Sequence, residues 1–175
     1  MKKLLLGTLL FSTFAFSQVP KLELNAKGVE PLVVNVAIAP ASTIYAKTIS
    51  WLEKNYDNPD KIIVSRDENK ELNIKAVEPK VWTANRIGTD SDYAIEYTLK
   101  IQFKDGKYRI TYNLGNFEKD GKKLDTSYKD LFRKHDGSIK YGYNDAVAGI
   151  EEHLNKKVQS LYDFISGKNS DNNDW

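Results

Sequence analysis

The stretch YTLKIQFKDGKYRITYNL, residues 97–114, constrains the fold more than any other part of the chain. Apolar and polar residues alternate on both sides of Asp105-Gly106, and Asp-Gly between two alternating runs is typical of a two-residue hairpin turn. Such a turn predicts the cross-strand pairs Lys104–Lys107, Phe103–Tyr108, Gln102–Arg109, Ile101–Ile110, Leu99–Tyr112 and Tyr97–Leu114. The apolar pairs then share one face, and a slip of one residue would bury Lys100 and Arg109.

Hydrophobic periodicity predicts the elements before the hairpin. Residues 32–38 form a β-rich run that Pro40 ends. A helix then begins at a cap formed by Ser42 or Thr43 and continues to about Asn55, because apolar residues recur there at helical spacing: Tyr45, Ile49, Leu52 and Tyr56, with Trp51 beside them. Short strands are predicted over residues 61–66 and 71–79. Residues 79–93 form either a long connection or a ragged extension of the second strand.

After the hairpin, residues 118–143 are polar and rich in Gly, with a short helical turn predicted at YKDLFRK. A final helix begins at Asn144 and stops at Gly167. Its apolar stripe follows i, i+3 and i+4 spacing and consists of Val147, Ile150, Leu154, Val158, Leu161 and Ile165. Gly149 interrupts this helix, which predicts a close contact between the helix and the sheet.

These elements predict an α+β fold with the order β-α-β-β-β-β-α. Strands that are apolar on one face need a cover, and two amphipathic helices supply it, so we expect a two-layer sandwich with an antiparallel sheet of about five strands. The helices cover the face of Tyr97, Leu99, Ile101 and Phe103, and the lysine face stays open. We expect one domain over residues 32–167, a loosely attached extension over 18–31 and a disordered tail over 168–175.

The first 17 residues are typical of a secretory signal. Lys2 and Lys3 precede an apolar run from Leu4 to Phe16 that is shorter than the roughly 20 residues of a membrane anchor, which is the alternative. Ala15 and Ser17 place small residues where signal peptidase cleaves. We therefore predict cleavage after Ser17, export to the periplasm or beyond, and no membrane span in the mature chain.

The composition of the mature chain excludes several classes of function. Two of the 26 basic residues and none of the 24 acidic residues lie in the signal, so 24 of each remain and the net charge is zero. A neutral chain lacks the usual electrostatic footprint of a nucleic-acid-binding protein. The chain also has no cysteine, which excludes thiolate catalysis and disulfides.

No motif in the sequence predicts a cofactor, a metal site or a catalytic residue. His135, in KHDGS, is interpreted as part of a plain turn, since adjacency alone does not make a triad. His153 lies at the edge of the apolar stripe of the last helix, without visible partners for a metal. The sequence leaves open whether the protein is an enzyme.

The helix segment YAKTISWLEKNY and the hairpin segment YAIEYTLKIQFKDGKYRITY follow a signal peptide in this order. This arrangement resembles a family of exported bacterial proteins described as a domain of unknown function, with a fold like that of the TATA-box-binding protein (TBP-like). The resemblance covers about residues 32–117, with Trp51-Leu52 and the segment from Lys104 to Arg109 as its most specific parts. It implies the fold and carries no activity.

The predicted binding surface is the open polar face of the hairpin together with the segment around Trp82. Its residues are Lys100, Gln102, Lys104, Lys107, Arg109, Thr111, Trp82 and Arg86. The three lysines and the arginine have no Asp or Glu between them on these two strands, which favours an acidic protein or an anionic glycan as the partner. Edge protection by lysine or a plain solvated face are alternatives.

Three functions remain compatible with the sequence. The leading hypothesis is a small exported binding or scaffold module. The second is a carboxylate-based enzyme acting on cell-envelope or glycan material, and the third is a structural domain that assembles with a partner protein. A cleft with two buried carboxylates would favour the enzyme, whereas a flat open face would favour binding. The oligomeric state is left open.

Overall fold

The predicted hairpin lies at the centre of a computed structural model, which describes residues 19–168 apart from Ile38, Ile87 and the side chain of Arg86. Eight strands and four helices are present in this part of the chain. In chain order they are β1 (Leu24–Asn25), β2 (Gly28–Val29), β3 (Leu32–Asn35), α1 (Ala41–Asn55), α2 (Pro59–Ile62), β4 (Ile63–Asp67), β5 (Glu71–Arg86), β6 (Thr89–Lys104), β7 (Lys107–Lys119), β8 (Lys122–Lys123), α3 (Tyr128–Phe132) and α4 (Asn144–Ser166).

The main sheet is antiparallel and confirms the α+β class. Its strands lie in the order β3-β7-β6-β5-β4, and β8 pairs with the end of β7, so the sheet has six strands where about five were expected. Every predicted pair of the hairpin is confirmed, from Lys104–Lys107 to Tyr97–Leu114. Gly106 completes the turn at a φ of 72°, a value that glycine adopts without the steric cost that a side chain would add.

One face of the sheet is covered by α1 and α4, as predicted. Tyr97, Leu99 and Ile101 are buried on this face together with the apolar residues of both helices. The ring of Tyr45 on α1 contacts Phe103 edge-on, with 5.4 Å between centroids. The alternation in β6 and β7 therefore has the cause inferred from the sequence, which is burial of alternate residues under the helices.

The N-terminus of α1 corrects the predicted cap. Pro40 occupies the cap position and forms no side-chain cap hydrogen bond, so neither Ser42 nor Thr43 caps the helix. The Ala41 N–H instead donates to Asp105 Oδ1 in the hairpin turn, at 2.8 Å. The turn of the hairpin thus satisfies a free amide at the start of the helix, in the manner of an N-cap supplied from a distant part of the chain.

The segment before β3 is attached more firmly than predicted. Leu22 and Leu24 are buried, and their N–H groups donate to Asn155 Oδ1 at 2.8 Å and Glu151 Oε1 at 2.6 Å on α4. Arg133 donates through Nη2 to the Leu24 carbonyl at 2.7 Å. The expectation of a loose extension is wrong because alternate leucines bury against α4. The predicted signal and most of the predicted tail lie outside the described residues.

Gly149 fits against the sheet, as predicted. An ideal Cβ at this position would lie 2.7 Å from the Val81 carbonyl oxygen. Val81 lies within an irregularity in the pairing of β5 with β6, between Glu78 and Trp82, and Lys80 there has a positive φ of 52°. The irregular part of β5 therefore approaches α4 at Gly149, the one residue of that helix without a side chain.

Gly149→Ala is expected to destabilise the protein, although alanine is the better helix former by about 1 kcal/mol. The added methyl group must displace backbone, and overpacking typically costs roughly 1–3 kcal/mol. Urea denaturation would measure the change, with Ala148→Gly at the exposed neighbouring position as a control that should cost about 1 kcal/mol through propensity alone. A gain in stability for Gly149→Ala would show that the helix does not approach Val81 this closely.

None of the helices in the described residues combines the length and apolar character needed to cross a bilayer.

Candidate functional site

The polar face of the hairpin lies on the side of the sheet opposite α1 and α4. Three cross-strand pairs occupy it: Lys104 with Lys107, Gln102 with Arg109, and Lys100 with Thr111. Lys104, Lys107 and Arg109 are exposed, whereas the other three are partly buried by their neighbours. The structure therefore brings six of the eight predicted site residues together on one surface, which we call the open face.

A carboxylate from a third strand corrects the expected charge pattern. Glu71 on β5 pairs with Gln102, and its Oε2 lies 2.7 Å from Lys100 Nζ. Gln102 Nε2 donates to the same oxygen at 3.0 Å. The strip of four cations is thus interrupted by an acid, which the hairpin sequence alone could not reveal because the acid comes from the neighbouring strand.

The Glu71 carboxylate organises a hydrogen-bond network across three strands. Hydrogen bonds from Lys100, Asn73 and Gln102 outweigh its partial desolvation and lower the pKa of Glu71 below its ordinary value. Arg109 Nε in turn donates to Gln102 Oε1 at 2.8 Å. The network neutralises Lys100 and holds the side chains of Gln102 and Arg109 in place.

The far end of the open face is also balanced in charge. Glu96 on β6 lies 3.1 Å from Lys75 Nζ and 3.3 Å from Lys123 Nζ. Hydrogen bonds from these two lysines, that from Lys75 first, lower the pKa of Glu96. Gly115 lies opposite, where a Cβ would be 3.1 Å from both the Glu96 carbonyl oxygen and its Oε1. This end therefore attracts anions less than the end near the turn.

The end near the turn retains positive charge. Within the described part of the chain, Lys104, Lys107 and Arg109 form no ion pair with a carboxylate, and we call these three residues the basic end. They line a shallow depression of about 460 Å³ together with Val33, Lys70, Gln102, Phe103 and Tyr108. The depression offers cations, a short apolar side chain and strand backbone to a ligand.

Trp82 does not belong to the open face. It lies in β5, which confirms the alternative of a strand extension for this segment. Its ring stacks on Tyr93 at 4.2 Å and contacts Phe132 and Tyr143 edge-on at 5.9 and 5.8 Å, and Phe132 belongs to α3. Trp82 thus seals one end of the core. Arg86 ends β5, and its side chain lies outside the described part.

Both histidines fit the plain interpretations made from the sequence. His135 is exposed in a turn where Asp136 Oδ1 accepts from the N–H and the hydroxyl of Ser138, at 2.9 and 2.6 Å. His153 Nδ1 lies 2.9 Å from the Gly149 carbonyl oxygen of its own helix. No group of three His, Cys, Asp or Glu residues that could hold a metal occurs among the described residues.

A polar cluster under the helices was missed by sequence reasoning. Glu78 Oε2 lies 2.9 Å from Lys157 Nζ, the Lys157 ammonium lies 5.0 Å from the centroid of the Tyr56 ring, and the hydroxyls of Tyr56 and Tyr97 are 2.8 Å apart. Desolvation disfavours charge on Lys157, but Tyr56 and Glu78 outweigh it and raise the pKa of Lys157.

This cluster joins Tyr56, the C-terminal cap of α1, and helix α4 to strands β5 and β6. A lysine whose pKa is raised is a poor general base, so Lys157 acts in this cluster as the cation of an ion pair that joins α4 to β5. The sequence indicated this cluster only weakly, because Lys157 only flanks the apolar stripe of α4 and Glu78 lies at the end of an ordinary strand pattern.

Comparisons with known proteins support the fold. Residues 32–118 match the model of a family described as a domain of unknown function (DUF4468) with TBP-like fold. A TBP-like protein from Parabacteroides distasonis superposes with a TM-score of 0.58 at 15% identity, covering 81% of this chain and 94% of that chain.

A second solved structure, a DUF4468 family protein from Bacteroides ovatus, has a TM-score of 0.55 at 13% identity and covers 85% of this chain and 88% of that chain. No curated protein matches the chain. At identities of 15% and 13% the likeness concerns the fold alone, and a shared fold does not imply a shared function.

Proposed function

Because residues 32–118 make this chain a member of the DUF4468 family with its TBP-like fold, we propose a function from the sheet face that this fold leaves uncovered. The protein is a small binding module that acts outside the cytoplasm. Its open face contacts an acidic partner, either a protein or an anionic glycan, through the basic end. Export depends on the predicted signal over residues 1–17.

The observation that carries the proposal is the unneutralised charge of the basic end on an otherwise balanced face. Lys104 faces Lys107 directly across the hairpin, and like charges at opposite positions are mildly destabilising. Edge protection does not explain these lysines, because β6 and β7 lie inside the sheet, between β5 and β3. An anion bound at this end would relieve the repulsion.

Charge reversal at the basic end tests the proposal. The immobilised protein should recover a partner from envelope extracts at low salt and less of it as salt rises, since screening weakens exposed charge pairs beyond a Debye length of about 10 Å at 0.1 M. Lys104→Glu with Lys107→Glu should abolish this recovery. These positions are preferable to Lys100, whose reversal would place a second carboxylate beside Glu71.

The control carries the same change in net charge on other surfaces. Lys122→Glu with Lys129→Glu changes two exposed residues, on β8 and α3, and should leave the recovery unchanged. Equal recovery by both charge-reversed variants would show that the basic end is merely solvated.

The export component makes a separate prediction. When the complete chain is produced in a bacterial host, the exported material should begin at Gln18, because Ala15 and Ser17 fit the small-x-small pattern of the signal peptidase site. Intact-mass spectrometry of this material measures the N-terminus directly. Retention of residues 1–17 on exported protein would contradict cleavage, and the absence of the protein from the periplasm and medium would contradict export.

A further inference from the structure

The two edges of the main sheet differ in how they resist pairing with another strand. The outer strands are β3 and β4. An irregularity between Ile63 and Ser65 interrupts β4, and Arg66 and Asp67 add charge to it. Bulges and charges are common protections of a sheet edge. In contrast, β3 has the sequence Leu-Val-Val-Asn, which contains neither a charge nor a proline, so its protection lies in its length of four residues.

The outward-facing backbone of β3 includes Val33. The Val36 N–H donates to the Gly106 carbonyl oxygen at 2.9 Å, and residues two apart in an antiparallel strand point the same way. Val34, opposite Tyr108, therefore bonds with β7. Val33 lies between these positions, so its N–H and C=O point away from β7, toward the outer side of the sheet.

The side chain of Val33 connects this edge with the basic end. Val33 is paired with Arg109, is 46% exposed and lines the same depression as Lys104 and Lys107. A strand added to β3 would lie two strand spacings, about 10 Å, from β7. Because valine is short, acidic side chains on the added strand can extend over it and meet the Arg109 and Lys107 side chains.

We propose that β3 accepts one further strand from the partner, an extended acidic polypeptide segment whose backbone bonds to Val33 and whose carboxylates face the basic end. The proposal rests on the proposed function and chooses a protein over a glycan. Backbone pairing supplies affinity in this mode of recognition, and the side chains supply specificity. A glycan has no peptide N–H and C=O groups with which to continue the ladder.

A peptide of alternating Val and Glu, labelled with fluorescein, is a suitable probe for fluorescence anisotropy. It should bind the unaltered protein, and Val33→Pro should weaken binding by about tenfold, because proline removes the outward N–H, although proline is tolerated at an edge strand. Val33→Ala keeps the N–H and should bind within about threefold of the unaltered protein. Polygalacturonate is the anionic comparison without a peptide backbone.

Hydrogen exchange supplies a readout that does not depend on the variant folding. In the unaltered protein, the peptide should slow exchange of the Val33 amide by at least about tenfold, and polygalacturonate should not. A peptide that fails to bind, or that binds equally to the Val33→Pro and Val33→Ala variants, overturns the inference.

Two further outcomes separate the inference from the function on which it rests. If polygalacturonate binds, and loses affinity in Lys104→Glu with Lys107→Glu while the peptide does not bind, the basic end binds anions but β3 accepts no strand. If Val33→Pro abolishes a concentration-dependent dimer seen by light scattering, the edge pairs with a second copy of this chain and the acidic segment is the wrong occupant.

Discussion

Leu99→Asp is expected to abolish the cooperative unfolding transition. Leu99 is only 1% exposed, in the central strand β6 and under the helices. An aspartate there would either stay ionised without a partner or bind a proton, and both cost several kcal/mol. Since domains are stable by only about 5–15 kcal/mol, circular dichroism should show little folded protein and no cooperative melt. Ile110→Asp, at the position paired with Ile101, should act in the same way.

The open face supplies the matched control. Thr111→Ala changes a residue on the other face of the same hairpin, and Lys100→Ala removes a pair whose lysine side chain is 38% exposed. Both should change the free energy of unfolding by a few tenths of a kcal/mol, with up to about 1 kcal/mol for Lys100 because an exposed ion pair is lost. If Thr111→Ala and Lys100→Ala destabilised the protein more than Leu99→Asp, the helices would cover the face of Thr111 and Lys100 and not that of Leu99.

The hairpin was predictable because all of its determinants are local. Asp105-Gly106 fixes the turn, and the alternating residues on both sides fix the buried face. The last helix was predictable for the same reason, since its apolar stripe repeats over several turns between Asn144 and Gly167. Even the contact at Gly149 followed from the cost of glycine inside a helix.

The features that the sequence did not reveal are contacts between distant segments. Asp105 accepts a hydrogen bond from Ala41, 64 residues away, and no local pattern marks such a cap. Leu22 and Leu24 are buried against α4. Two apolar residues are too few to form a periodic pattern, so the sequence did not indicate this contact. The irregularity after Glu78 interrupts the alternation of β5, so the extension of this strand was only one of two alternatives.

The candidate site was predicted only in part, because some of its features are local to the hairpin and others depend on neighbouring strands. The six residues of the hairpin share a face because strand alternation demands it. Their charge balance depends on Glu71, whose neighbours are decided by the order of strands in the sheet. Trp82 was grouped with the surface because aromatic residues are common at interfaces, but its contacts with Tyr93 and Phe132 show an aromatic cluster at the end of the core.

Alkaline pH is expected to unfold the protein cooperatively, because its buried tyrosines resist ionisation in the folded state. Burial is the main cause that raises the pKa of Tyr97, Tyr108 and Tyr112 well above the ordinary value of about 10. A group whose pKa is raised by folding contributes stability below its unfolded pKa, and this contribution is lost as the pH rises above that value. The ammonium of Lys157 acts in the same direction, since its pKa is also raised.

The expected size of this effect follows from the number of protons released on unfolding. Once ionised in the unfolded chain, these three phenols alone lower the free energy of unfolding by about 4 kcal/mol for each pH unit, at about 1.4 kcal/mol per proton. The raised pKa values of Tyr128 and Lys157 add to this slope. Tyrosinate absorbance and far-ultraviolet circular dichroism, followed together from neutral pH to above pH 10, should show a late step in absorbance that coincides with the loss of structure.

Tyr108→Phe isolates one of the three contributions. The Tyr108 hydroxyl is buried and has no hydrogen-bond partner among the described residues, so its removal should leave stability at neutral pH nearly unchanged. The slope above pH 10 should fall by about 1.4 kcal/mol per pH unit, and the alkaline midpoint should rise. Tyr97→Phe should instead cost about 1 kcal/mol at neutral pH, because it removes the hydrogen bond between the Tyr56 and Tyr97 hydroxyls. If all tyrosines ionised gradually while the structure persisted, the phenols would be open to solvent, and the packing of α1 and α4 over the hairpin would be looser than described.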